Sequence, residues 1–441
     1  LGDVYKRQVF MLRRKFYDTL LKWSKEKNQE CLLVRGARQI GKTYIIDYFG
    51  KNNYKSYIYL NFIENPQLKT IFENSLSAEE IFSRMTLVMP HIRFIEGDTL
   101  IFLDEIQECP NARTALKFLA LDNRYDVIAS GSLLGISYKE VTSIPVGYEL
   151  SVTMYGLDFE EFLWAKGYNE NTLELLKKYY DSKERIPEEI HNQFMRLIRE
   201  YIVVGGMPAV VQTYLDSNHF GQVQKVQEQI ISSYMDDISK YASSSEKSKV
   251  KNCYMSVTKQ LAKENKKFQF SVVESKATAR KFENSIEWLR DAGLVWLCKN
   301  VSACQFPLVG YENDKFYKMY LTDLGLLVAM YGFEMKSAIL DDTLTGPVKG
   351  GIYENLIADI LMKSRHSLHY YQNKNLEIEF LIEQNTKVIP VEVKTGNNRS
   401  QSMNQLLKNE NIPYGYKFVN GNCGINGKKI TLPLYLAMYV D

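Results

Sequence analysis

Gly36-Ala37-Arg38-Gln39-Ile40-Gly41-Lys42-Thr43 follows the apolar run Leu32-Leu33-Val34 and precedes a helix-like stretch from Thr43 to Phe49. The pattern G-x-x-x-x-G-K-[ST] between a strand and a helix is a phosphate-binding loop. Its glycines let the backbone curl until N–H groups point at a β-phosphate, and the helix N-terminus adds partial positive charge. The loop residues Gly36, Ala37, Arg38, Gln39, Ile40, Gly41, Lys42 and Thr43, with Tyr44 just beyond, are therefore the expected nucleotide contacts. Lys42 is spaced to reach the β- and γ-phosphates, and Thr43 to offer its hydroxyl to Mg²⁺.

Further along, Thr99-Leu100-Ile101-Phe102-Leu103-Asp104-Glu105 reads as a buried parallel strand ending in two carboxylates. Acids at the C-terminal tip of such a strand lie at the sheet edge where open α/β folds bind ligands. Asp104 is then the second Mg²⁺ residue, acting through water. Glu105 is the group that orients or deprotonates the attacking water. A third strand, Tyr125-Asp126-Val127-Ile128-Ala129, runs into Ser130-Gly131-Ser132. Ser130 is a candidate sensor of the γ-phosphate, with a plain turn as the alternative reading.

Together with Leu103-Asp104-Glu105-Ile106-Gln107-Glu108, Ala129-Ser130-Gly131-Ser132 and Leu157-Asp158-Phe159-Glu160-Glu161-Phe162-Leu163, the loop resembles the AAA-family ATPases of bacteria and archaea that carry a C-terminal domain of unknown function. The resemblance covers nearly the whole chain. It implies an ATPase core with a five-stranded parallel sheet, the Asp104 strand lying near the phosphate-loop strand. There is one departure. Many relatives place a basic residue after the glycine before the fifth strand, whereas this chain has Pro145-Val146-Gly147-Tyr148. Arg113 and Arg124 are the alternative arginine fingers. Without a finger, hydrolysis is expected to be slow.

The 441 residues suggest about three domains, and a formal charge of +3 gives no sign-based argument for nucleic acid. Six cysteines at 31, 109, 253, 298, 304 and 423 form no C-x-x-C pair, which suits a reducing cytoplasm and argues against structural zinc. No apolar run is long enough to cross a membrane and no signal core is visible. Residues 1–10 read as a non-native leader ahead of Met11.

After Trp164 the pattern turns helical. Tyr201 to Val211 contains Gly205-Gly206-Met207-Pro208, which precludes one uninterrupted helix and suggests tight packing. Val226, Ile230, Tyr234 and Ile238 share a helical face, and Ser243 to Ser248 reads as a link. A helix over 278–292, the stop Gly293 and the strand Leu294-Val295-Trp296-Leu297 form a winged-helix pattern. Its Lys276, Arg280, Lys281 and Arg290 could meet DNA phosphates, or the module packs against the ATPase or a protein partner.

The last hundred residues carry a second constellation. Glu354 lies on an apparent helix, Glu377 and Glu379 share a face of one strand, and Glu392 and Lys394 share a face of the next. Converging carboxylates beside a lysine can hold Mg²⁺ and activate water. The arrangement resembles the core of restriction-endonuclease-like folds, with Glu379 where that fold usually has Asp. Glu354, Glu379, Glu392 and Lys394 are thus a candidate nuclease site.

The expected architecture is α/β: a P-loop NTPase domain with a parallel sheet (11–185), a helical and winged-helix module (186–335), and a restriction-endonuclease-like α/β domain (336–441). The expected function is a cytoplasmic ATP- and Mg²⁺-dependent switch whose nucleotide state moves the C-terminal modules. The alternatives are an ATP-gated nuclease and a non-catalytic adaptor stabilised by nucleotide. DNA or a protein is the expected partner class.

Overall fold

The computed structural model describes residues 12–26, 29–132, 147–374, 376–396 and 400–440. The leader and the Pro145-Val146 segment lie outside the described residues.

Five apolar runs that end in polar residues build the first sheet: β1 (Cys31–Gly36), β2 (Ser56–Asn61), β3 (Thr99–Asp104), β4 (Asp126–Ser132) and β5 (Glu149–Thr153). All pair in parallel, in the order β2-β3-β4-β1-β5. Side chains alternate between two cores. Leu32, Val34, Leu100 and Phe102 face one, while Leu33, Ile101, Leu103 and Val127 face the other. Burial on both faces is why β1 and β3 read as unbroken apolar runs. One strand, β4, separates β3 from β1, so Gly36, Asp104 and Ser130 come to the same C-terminal edge.

The helices Glu188–Val204, Pro208–Ser217 and Phe220–Tyr241 follow. On the last, Ile230, Tyr234 and Ile238 are buried as the spacing predicts, but Val226 is only half-buried because the inward stripe continues through Gln227 and Val223. The glycine pair sits where three backbone segments meet. Leu157 N–H donates to Gly206 O (2.7 Å), and Gly206 N–H donates to Asp323 Oδ2 (2.7 Å). Gly205 adopts φ +80°, beside the Asp323 carboxylate.

Helix Ala279–Asp291 ends before Gly293 (φ +69°), and the chain enters β6 (Val295–Val301), which pairs antiparallel with β7 (Glu312–Leu321). Its Lys281 pairs with Glu274 (2.5 Å) and its Arg290 with Asp291 (2.9 Å). Parallel pairing of β6 with β8 (His369–Gln372) joins this hairpin to β9 (Glu377–Gln384), β10 (Lys387–Val393), β11 (Gly415–Val419), β12 (Gly424–Asn426) and β13 (Lys429–Pro433). The result is one eight-stranded sheet, β12-β13-β11-β10-β9-β8-β6-β7, which runs across position 335. Pairing with β6 covers the edge that β8 would otherwise expose. Helix Gly346–Lys363 is buried against this sheet. A continuous apolar core links Leu20, Tyr201, Leu327, Ile357 and Val440. Among the described residues, no helix is long and apolar enough to cross a membrane.

Candidate nucleotide site and the C-terminal carboxylate cluster

β1 delivers Gly36 to the sheet edge, and the chain then turns through Gln39 (φ +64°) and Gly41 (φ +88°) into helix Lys42–Asn53. No side chain caps that helix, so its first N–H groups are available to an anion. Lys42 is buried and arches back over its own loop, donating to Gly36 O (3.1 Å) and Ala37 O (2.8 Å). Burial, opposed by Glu105 and Asp104 and aided by Arg38, lowers its pKa to about 8.

Asp104, at the end of β3, accepts the Thr43 hydroxyl (3.0 Å), the Tyr59 hydroxyl (3.0 Å), Asn61 Nδ2 (3.3 Å) and the Ser130 hydroxyl. Those donors fix the carboxylate beside the loop. Ser130 lies within β4 rather than in a turn, and it touches the site through Asp104. Glu105 adopts a left-handed φ of +55°, which directs the chain sharply away after β3, and Gln107 Nε2 donates to its carboxylate. The set of hydroxyl and carboxylate oxygens suits Mg²⁺, which takes one or two protein oxygens alongside phosphates and water.

The loop borders a cleft of about 740 Å³, which Glu105, Arg14, Leu12 and Tyr44 also line. Its far wall is Pro208, Ala209 and Gln212 from the helical module. Arg38 reaches the same module: its guanidinium pairs with Asp237 (2.6 Å) and contacts the Tyr241 hydroxyl (3.2 Å), and its carbonyl accepts from the Tyr234 hydroxyl (3.2 Å). The buried Arg14 spans Ile40 O (3.0 Å), Tyr155 O (2.6 Å) and Glu161 (3.2 Å). Neither alternative finger borders the cleft. Arg113 pairs with Glu149 (3.3 Å), and Arg124 pairs with Asp122 (2.8 Å) and lies over the Phe82 ring.

Sequence reasoning missed Tyr59, Asn61, Gln107 and Arg14. Asn61 had one visible signal, a polar residue closing an apolar strand at the same sheet edge. The others come into place only through tertiary packing.

In the second sheet and the helix packed on it, Glu354, Glu379, Glu392 and Lys394 do come together. Lys394 Nζ lies 2.7 Å from Glu379 and 3.5 Å from Glu392. Glu354 accepts from Lys266 (3.0 Å), Lys318 (3.4 Å) and the Tyr320 hydroxyl (3.0 Å). Burial, aided by Glu354 and opposed by Lys394, pushes Glu379 up to about 7.

A parallel sheet in this order, with a phosphate loop after its β1 and acids after β3, defines a P-loop nucleotide-binding fold. Residues 28–163 match the AAA domain family, residues 195–337 a domain of unknown function (DUF8612), and residues 349–436 another (DUF4143). The chain therefore carries an AAA domain followed by two domains of unknown function. An uncharacterized protein of Methanocaldococcus jannaschii is 24% identical over 365 residues, covering 79% of this chain and 71% of its own length. Among solved structures, a Walker-type ATPase of Pyrococcus abyssi is similar at a TM-score of 0.43 and 14% identity, covering 73% of this chain and 96% of that one. DnaA of Aquifex aeolicus bound to AMPPCP is similar at a TM-score of 0.30 and 11% identity, covering 63% of this chain and 88% of its own.

Proposed function

We propose that this protein binds and slowly hydrolyses ATP with Mg²⁺, and that nucleotide occupancy is transmitted to its C-terminal modules. The observation that carries this reading is the convergence of Lys42, Thr43 and Asp104, with Thr43 and Asp104 3.0 Å apart, on a cleft that Glu105 also lines. Lys42 would exchange its two loop carbonyls for phosphate oxygens. Thr43 and Asp104 would hold Mg²⁺, which supplies charge neutralisation at the β- and γ-phosphates. Glu105 would orient the attacking water while Gln107 positions its carboxylate. Ser130 would act by fixing Asp104. Leu12, Ile45 and Pro208 offer an apolar wall for the base.

Slow turnover is expected because Arg113 and Arg124 are held by acids away from the cleft, while Arg14 and Arg38, which line it, are engaged by Glu161 and Asp237; a missing finger costs roughly 10³–10⁵ in rate. The coupling rests on Arg38. It belongs to the phosphate loop, yet it is bound to Asp237 and Tyr241 of the helical module. A phosphate arriving at the loop competes for that guanidinium, so it bears on helix Phe220–Tyr241. The test is phosphate release by wild type and Glu105→Gln. A drop of about 100-fold or more with nucleotide binding retained is expected, and equal rates refute the role given to Glu105.

A further inference from the structure

The nuclease-like cluster in the second sheet would be expected to hold a divalent metal, and its residues do not fit one. Four carboxylates meet here: Glu354, Glu377, Glu379 and Glu392. Each already has an ammonium group. Lys318 Nζ bridges Glu377 Oε1 (3.0 Å) and Glu354 Oε2 (3.4 Å), Lys266 takes Glu354 Oε1 (3.0 Å), and Lys394 takes Glu379 (2.7 Å) and Glu392 (3.5 Å). Lys417, the register partner of Glu392 on β11, adds a fourth positive group opposite it. The carboxylates are thus already paired with lysines before any metal arrives, and a divalent ion would add positive charge where the Lys318, Lys266 and Lys394 ammonium groups already lie.

Geometry argues the same way. The Lys318 side chain is 1% exposed and projects from β7, its head 5.1 Å from the centre of the Tyr370 ring. Burial alone would lower its pKa, but Glu354, Glu377 and Glu379 outweigh that and keep the ammonium charged. Among the described residues, no three His, Cys, Asp or Glu side chains are arranged to hold a metal ion. Glu379 Oε2 and Glu392 Oε2 are buried without a hydrogen-bond partner, while the Oε1 atoms of both carboxylates are held by Lys394.

We propose that this cluster is a cation site filled from within the chain: the Lys318 ammonium, seconded by Lys266, holds Glu354 and Glu377, the acids that a nuclease's divalent metal would share with Glu379. The site therefore binds no metal and cuts no nucleic acid. It serves instead as an ionic clamp, joining β7 and the segment around Lys266 to helix Gly346–Lys363 and β9.

The test titrates the full-length protein with Mn²⁺ in the absence of nucleotide, reading free Mn²⁺ by electron paramagnetic resonance. Wild type should show no binding that Glu379→Gln removes. Lys318→Met should gain about one site per chain, at least tenfold tighter than anything in wild type and abolished in Lys318→Met/Glu379→Gln. Lys318→Arg, which keeps the charge, should behave as wild type. A folded Lys318→Met that gains no site overturns the proposal. So does a wild-type Mn²⁺ site lost in Glu379→Gln, or Mg²⁺- or Mn²⁺-dependent cleavage of DNA or RNA lost in Glu392→Gln; these two wild-type results decide the matter even where Lys318→Met does not fold.

Discussion

Gly206→Ala should be among the most damaging single-methyl additions in this chain. A Cβ at position 206 would press into the Leu157 carbonyl oxygen and stand 2.9 Å from Leu157 N and 3.0 Å from Leu157 C, all backbone atoms that cannot swing aside. Relief requires separating the segments, which breaks Leu157 N–H to Gly206 O and Gly206 N–H to the Asp323 carboxylate, both 2.7 Å. The first bond is worth about 1 kcal/mol and the second, to a charged acceptor, roughly 1.5–3. Residual overpacking adds about 1–3 kcal/mol. The expected loss is therefore roughly 3.5–7 kcal/mol, or, at about 2.1 cal/mol/K of unfolding entropy per residue, a fall of about 4–8 °C in the midpoint when the 441-residue chain unfolds as one unit. Gly310→Ala is the matched control. Nothing lies within 4 Å of its added Cβ and its φ is not positive, so its effect should stay within about 0.5 kcal/mol. Urea unfolding followed by far-ultraviolet circular dichroism, with both variants side by side, gives the comparison. If Gly206→Ala costs less than about 1 kcal/mol, the three-way backbone junction is not what holds the AAA domain to the helical module.

Further expectations concern the cleft. Because Lys42 has a pKa near 8 in the free protein and phosphate favours its charged form, nucleotide binding takes up a proton above that pH. Affinity should fall as pH rises from about 8, by up to tenfold per unit, and calorimetry at pH 9 in buffers of different ionisation heat should show uptake approaching one proton; no uptake and a flat affinity contradict this. Asp237→Asn removes the acid facing Arg38. Since burial already raises the pKa of Asp237 against the pull of Arg38, the stability cost should be only about 1 kcal/mol, while nucleotide-dependent hydrogen-exchange protection in Phe220–Tyr241 should disappear. Ser130→Ala should lower kcat about tenfold with nucleotide affinity changed less than about threefold, the split expected of a residue that fixes Asp104 without touching the base or phosphates.

The strand, loop and helix that carry the proposed nucleotide site were legible in the linear chain because their geometry is local. Gly36 to Thr43 form the loop as one contiguous stretch, and a strand buried on both faces, such as Thr99–Asp104, writes itself as an unbroken apolar run whose last residue marks the sheet edge. The supporting shell was not visible. Tyr59 and Asn61 reach Asp104 only because β2 lies beside β3 in register, with Asn61 opposite Asp104. Arg38 and Asp237 are far apart in the chain, and nothing in either neighbourhood announces the other.

The same limit applies to the C-terminal half. Periodicity shows that Leu294 to Leu297 is a strand but not that β6 will pair with β8, which merges the hairpin into the sheet that follows. An acid followed by Glu392 and Lys394 is readable as a pattern. Lys318 and Lys266 come from distant segments, and they change what that pattern can do.

The most direct measurement is equilibrium binding of a non-hydrolysable ATP analogue with Mg²⁺ to the full-length protein and to Lys42→Ala. The account predicts one saturable site per chain in wild type, lost or weakened at least 100-fold in the variant while its unfolding transition is retained. Wild-type protein that holds no purine nucleotide at millimolar concentration, or a Lys42→Ala variant that binds equally well, would contradict it.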